Sequence, residues 1–433
     1  MRLTNGASES TYKFMVDGIR YICDNFKDRA PGTHSERKAQ KFLKSQLENW
    51  ADEVEMEDFN LHPHAFMGWI PPAGIISIIS VIFYWLTFKG VVTNPALAII
   101  ATIITWFALS CLVIEFLMYR EYVDFLFPKK ISRNVMARRK PTGEVKRRIV
   151  FCGHTDAANE WTYSLHGGLK SLAPVMGGSI GGLIGVCIFN IVWLIYHLAS
   201  DAAYTSKFWL VMGIIELILI PFFIAILFFI NWKVIVDGAN DNLTADFISM
   251  AVLKEMADNN KRYENTEVCC LLTGSEEAGL RGAVAYAKRH QDELKEIETV
   301  VIAMDTMREI EQLQIYTQGC TGTQKNSNAV GELVYEAGVN CGIEMSETDV
   351  YPGAVDAEGF SRYGIEAVGF CGVNHDPKTY YHTRLDTPDN MSEECINLSL
   401  DICLEAAELY DSKGGIEAFR EEGKKRFKKG YNK

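Results

Sequence analysis

The stretch VFCGHTD, residues 150–156, decides how the rest of this chain is read. Its apolar half, extended back to Arg148, has the length and composition of a buried strand, and it ends on His154-Thr155-Asp156. Short apolar runs of the same kind occur at Val268 to Leu272, Thr299 to Met304 and Ala367 to Phe370, with a more polar strand pattern at Glu53 to Leu61. Helical periodicity marks Arg37 to Trp50, Leu243 to Asp258, Leu280 to Arg289 and Asn326 to Ala337. Strands alternating with helices predict an α/β fold, a mostly parallel mixed sheet flanked by helices. His154, Glu276 and Asp305 each fall at or just past the end of one predicted strand. Ligand crevices in such sheets form outside the carboxyl ends of the strands.

Five fragments carry the chemistry, in the order His154-Thr155-Asp156, Asp241-Asn242, Glu276-Glu277, Asp305 and His382-Thr383. Two imidazoles with a surplus of carboxylates suit zinc with an open coordination position. An adjacent Glu-Glu pair can supply both a ligand and a base that moves a proton. Asp156 stands where it could receive the second N–H of a ligating His154. Each fragment also has a plainer use. Asp241 could cap a helix, Glu276-Glu277 could open one, Asp305 could be a turn residue, and either histidine could be structural. Asp237 rivals Asp241 for a bridging role. The combination in this order, rather than any single member, points to a two-metal hydrolase.

The segments VFCGHTD, DGANDNLTA (237–245), LLTGSEEAGLRGA (271–283), VIAMDT (301–306) and YYHTRLDTPDN (380–390) resemble the co-catalytic zinc peptidases. That family includes bacterial leucyl aminopeptidase, glutamate carboxypeptidase and glutaminyl cyclase, with transferrin receptor as an inactive relative. RAPGTHSERKAQKFLKSQL (29–47) resembles the family's N-terminal helix region. The resemblance implies that Asp241 bridges two zinc ions, with His154 and Asp305 completing one and Glu277 and His382 the other. It implies Glu276 as general base acting on water held between the metals, and Asp156 as the residue orienting His154. Cobalt or manganese could replace zinc in so carboxylate-rich a set. Asp356, in GAVDAEGF, resembles a family position near the substrate, and a structural turn fits it equally. No expected ligand is missing, which sets the chain apart from an inactive relative.

Four apolar stretches interrupt this pattern. Ala65 to Phe88 and Ser171 to Ser200 hold no charged residue, Val91 to Met118 holds only Glu115, and Phe208 to Trp232 only Glu216. Each exceeds the roughly 20 residues a helix needs to cross a bilayer. Lys89-Gly90 and about Asp201 to Lys207 join them into two hairpins. The expected organisation is therefore catalytic sequence at 1–64, 119–170 and 233–433, with transmembrane hairpins at 65–118 and 171–232. Hairpins leave all polar parts on one side. The excess of lysine and arginine from Arg120 to Arg148 places that side, with both termini, in the cytoplasm, as an integral protein of the cell membrane. Eleven cysteines without a disulfide-like spacing agree with a reducing compartment. The basic tail Lys424 to Lys429 suggests either contact with anionic headgroups or a solvated end. Within the hairpins, Gly177, Gly181 and Gly185, with Gly178 and Gly182 beside them, predict a smooth face for close helix packing, and Glu216 is expected to be protonated and hydrogen-bonded to Asn190.

A net charge of -12 and the lack of any nucleic-acid motif exclude nucleic acid as a partner. The expected partners are a peptide substrate and the lipid bilayer. The expected function is a membrane-embedded, zinc-dependent exopeptidase, foremost an aminopeptidase. The second hairpin separates His154 from Asp241, which suggests hydrophobic or membrane-released peptides as substrates. The alternatives are glutaminyl cyclase chemistry, a non-enzymatic receptor or scaffold on a peptidase fold, and a transporter motivated by Glu216. His62, His64 and His166 are expected outside the site, and His375-Asp376 with Lys378 in a loop near it.

Overall fold

A computed structural model describes residues 6–199, 206–319, 321–349, 353–374 and 380–432. His375, Asp376 and Lys378 lie outside the described residues, as does most of the second hairpin's turn. Among the described residues there are ten strands: β1 (Glu53–Leu61), β2 (Lys130–Arg139), β3 (Arg147–His154), β4 (Asn159–Trp161), β5 (Ile230–Ile235), β6 (Thr266–Thr273), β7 (Glu298–Met307), β8 (Gln314–Gln318), β9 (Ser346–Asp349) and β10 (Glu366–Gly372). Eight form one sheet in the order β1-β2-β6-β3-β7-β10-β8-β9, and β4 pairs with β5 in a separate ribbon. The central run β6-β3-β7-β10 is parallel, β2 and β8 join its two edges antiparallel, and β1 pairs antiparallel with β2. The sheet is therefore mixed, with a parallel centre.

The strands at that centre are apolar on both faces because helices cover both. Phe151, Leu272, Ile302 and Phe370 face one helical layer, which includes Thr244–Asp258 and Glu393–Ser412. Val150, Cys152, Leu271 and Val301 face the other, around Ala283, Tyr286 and Phe360. Register then sets the site. In the parallel ladders His154 stands beside Thr273, and Cys152 beside Ala303, so His154 and Asp305 end level with one another. In the basic tail Phe427 is buried in the core and Arg426 pairs with Glu332, while Lys424, Lys425 and Lys428 are exposed.

The chain divides into two compact units. One comprises residues 1–63, 129–160 and 233–433. The other comprises residues 64–128 and 161–232, so that 119–128 and 161–170 cluster with the apolar helices. This second unit contains four helices long and apolar enough to cross a membrane, Ala65–Phe88, Ala96–Leu117, Thr162–Ala199 and Lys207–Phe228. The third is broken at Gly167-Gly168, and the fourth gives way to β5, so Ile230 to Trp232 are strand rather than helix. Large apolar side chains such as Ile103, Ile195, Phe208 and Ile218 point outward from it.

One expectation about its interior is narrowed and another corrected. Space for a close approach is used at Gly178 and Gly182, which face Phe222 and Phe223, whereas Gly177, Gly181 and Gly185 face open space. One residue along a helix turns the face by about 100°. The amide of Asn190 donates to Ser80 Oγ (2.7 Å) and Thr105 Oγ1 (3.2 Å), and no hydrogen bond joins it to Glu216. Glu216 is buried without a hydrogen-bond partner among the described residues.

Candidate metal centre

All five sequence fragments meet at the carboxyl edge of the parallel strands. His154 is the last residue of β3, and Asp305 lies near the end of β7. Glu276 and Glu277 form a single helical turn, Glu276–Ala278, just after β6. Asp241 sits in an irregular turn, Ala239–Leu243, ahead of the buried helix Thr244–Asp258. His382 follows β10, in a loop with left-handed backbone (φ 52°). Ser275 and Thr306, next to Glu276 and Asp305, share that sparsely populated conformation (φ 56° and 49°). Backbone held there by its surroundings is common where side chains are aimed at a ligand.

The pivot is Asp241. Its Oδ1 lies 3.3 Å from His154 Nε2 and its Oδ2 3.0 Å from His382 Nε2. Around His154 Nε2 stand Glu276 Oε2 and Asp305 Oδ2, both at 3.8 Å. Around His382 Nε2 stands Glu277 Oε1 at 3.2 Å. Among the described residues three ligand groups result: His154–Asp241–Asp305, His154–Glu276–Glu277 and Asp241–Glu277–His382, each with its donor atoms within 4.8 Å of one another. Asp237 belongs to none of them; its backbone carbonyl accepts from Arg29. His62, His64 and His166 belong to none either.

The donor set fits a divalent cation. Both ring nitrogens of His154, Asp241 Oδ2 and Glu277 Oε1 are buried yet make no hydrogen bond. They approach one another at ion-pair distance in poor hydrogen-bonding geometry, as ligands aimed at a shared point do. Four carboxylates against two imidazoles also crowd buried acidic groups that added cation would offset. The electrostatics register this. Burial pushes the Asp305 carboxyl up to about 8, with Asp241 adding to the effect. Burial also drives Glu276 well above the usual range, with Glu277 and Asp305 adding and His154 opposing. Asp241 moves the other way, because His154 and His382 outweigh its burial. Burial alone would lower His382, but Glu277 and Asp241 raise it to about 10.

Neighbouring residues hold these loops in place. Asp156 accepts the backbone N–H groups of Glu276 and Glu277, both at 3.0 Å, while its Oδ1 lies 3.4 Å from His154 Nδ1. It thus ties the Glu-Glu turn to the β3 end, besides facing His154. Asn242, after Asp241, donates to the Met304 carbonyl (2.9 Å) and accepts from Thr306 N–H (3.2 Å), fastening Asp241 to the strand of Asp305. Asp356 lies beneath the site rather than facing outward: it is buried and accepts from Thr273 Oγ1.

Tyr381 was not singled out in the sequence, although it adjoins His382. Its ring stacks on the imidazole with centroids 4.1 Å apart. Burial and the site's carboxylates push its phenol well up, so it remains a proton donor at neutral pH. Gly282 was missed as well. A Cβ there would lie 2.2 Å from the Gly274 carbonyl oxygen and 2.8 Å from its nitrogen, so only glycine lets the helix Arg281–Glu296 approach the Glu276 loop. Gly282→Ala should cost about 1–3 kcal/mol of stability through overpacking. Thermal melting of the detergent-purified protein reads this, and an unchanged midpoint would contradict the close approach.

Residues 229–407 match Peptidase family M28. Among curated proteins no match was found. Solved structures share the fold. The aminopeptidase from Aneurinibacillus sp. strain AM-1 aligns over 94% of this chain and 95% of its own, with TM-score 0.54 and 14% identity. A glutaminyl cyclase of an Acidobacteriales bacterium aligns over 94% and 97%, with TM-score 0.53 and 13% identity. A leucine aminopeptidase precursor from Bacteroides thetaiotaomicron aligns over 91% and 96%, with TM-score 0.51 and 12% identity. Residues 229–407 are thus similar to Peptidase family M28, and the chain has the fold seen in an aminopeptidase and in a glutaminyl cyclase.

Proposed function

We propose that this protein is a zinc-dependent aminopeptidase held in a lipid bilayer by two helical hairpins, with its catalytic unit on the cytoplasmic side. The observation that supports it most is Asp241, whose two oxygens each face a different imidazole. A carboxylate so placed suits a pair of zinc ions, one with His154 and Asp305 and one with Glu277 and His382. When bound, such a pair polarises a carbonyl and lowers the pKa of water. Glu276 is the carboxylate left over for proton transfer. It takes a proton from the attacking water and delivers it to the departing amine. The Tyr381 phenol donates a hydrogen bond to the oxygen of the carbonyl under attack, where charge develops. Asp156 holds the Glu276-Glu277 turn so that base and ligand keep their separate directions. Substrates are peptides, and the hairpins favour hydrophobic or membrane-released ones.

Mass spectrometry of a mixed peptide library incubated with the detergent-purified, zinc-loaded protein tests this. Stepwise loss of N-terminal residues is the expected result. Ammonia loss from N-terminal glutamine would instead identify glutaminyl cyclase chemistry. An unchanged library would overturn the enzymatic reading in favour of a receptor or scaffold.

A further inference from the structure

Asp386 lies four residues beyond His382 and is fully buried, yet it has no ion-pair partner among the described residues. Its hydrogen bonds run to one place. Oδ1 accepts from the backbone N–H of Asn240 (2.8 Å) and from Asn240 Nδ2 (2.7 Å). Oδ2 accepts from the backbone N–H of Asp241 at 3.1 Å. Its own N–H donates to the Thr383 carbonyl (2.9 Å), closing a tight turn behind His382, and its carbonyl accepts from Ala239 N–H (3.4 Å). One side chain therefore joins the turn carrying Asp241 to the loop carrying His382, which are distant in sequence.

We propose that Asp386 is a positioning residue that sets the separation of Asp241 and His382, and through it the zinc affinity of the Asp241–Glu277–His382 group. The proposal rests on the zinc reading above. Three N–H donors converge on this carboxylate, so an acceptor-only group is required. Asparagine has the same shape, but it would turn an NH2 toward one of those donors. The other side of Asp241 is secured separately by Asn242, so loss of Asp386 should loosen one ligand group and spare the attachment to Asp305. The ligands of the loosened group come from three separate segments, and nothing local holds their spacing. Outer partners of metal ligands typically contribute about 10–100-fold in affinity.

The test is a zinc competition titration against a chromophoric chelator on the metal-stripped, full-length protein, with thermal melting of each metal-free sample alongside. Asp386→Asn should weaken zinc binding by about 10–100-fold, whether or not the buried donor left unpaired also lowers the metal-free melting temperature. Asn240→Ala removes one donor and leaves both backbone donors, so it should show a smaller loss in the same direction. Zinc affinity of Asp386→Asn equal to wild type would overturn the proposal. So would a lowered metal-free melting temperature with unaltered affinity, since that is a purely structural role. If Asp386→Asn does not fold, Asn240→Ala decides, and wild-type affinity there counts against the clamp. A wild-type protein that binds no zinc would instead overturn the zinc peptidase reading itself.

Discussion

Glu276→Gln is expected to keep zinc and to lose turnover by about 10²–10⁴-fold, the range that positioned proton transfer contributes. Glutamine has the size and polarity of glutamate but cannot accept a proton at neutral pH. Glu276 Oε2 lies 3.8 Å from His154 Nε2, so the replacement should leave the other donor atoms where they are. Zinc content by elemental analysis and initial rates on an N-terminal reporter peptide, measured on one preparation, separate the two effects. Undiminished turnover would remove Glu276 from the mechanism. Loss of zinc together with activity would make it a ligand, which the His154–Glu276–Glu277 group makes the pertinent rival.

Asp241→Ala is the more drastic change. Both ligand groups built on Asp241 lose a shared member, one through each oxygen. The expected result is loss of bound zinc after dialysis, with activity at background. The stabilisation that zinc confers on the wild type disappears with it, because a ligand raises the melting temperature only through its affinity for the folded state. Asp237→Ala is the matched control. Asp237 belongs to no ligand group, and its contact with Arg29 runs through its backbone carbonyl, which alanine keeps. Zinc retained by Asp241→Ala but lost by Asp237→Ala would reverse the assignment between these two neighbours.

Most of the site was legible in the sequence because its chemistry is carried by residue type and order. Histidine and carboxylate at strand ends are conspicuous against apolar runs, and parallel strands bring their carboxyl ends together. The edge strands were less visible. β2, Lys130–Arg139, carries four lysine or arginine residues and lacks an apolar run, yet it pairs with β1 over Lys130 to Arg138 and with β6 over Val135 to Arg139. Arg138 and Arg139 are nonetheless buried, Arg138 against Glu55 and Arg139 on backbone carbonyls. β8 and β9 are short, and no composition signal separates them from loop.

Inside the hairpins the limits were of another kind. The apolar lengths were plain, but helix phase was not. Gly177 and Gly178 are equally small, and only the position of Phe222 decides which of them is used. Likewise Asn190 and Glu216 have similar depth, and the hydroxyls of Ser80 and Thr105 take the amide.

The sequence by itself determined the α/β class, the four long apolar helices and the set of potential metal ligands, since periodicity, length and donor chemistry are local properties. Only the tertiary structure decided which oxygen of Asp241 faces which imidazole, and which residues secure the ligand loops. Asp156, Asn242 and Asp386 act across separations of 62 to 146 residues. Such pairings are made by strand register and the buried packing of loops, and no local pattern in the chain announces them.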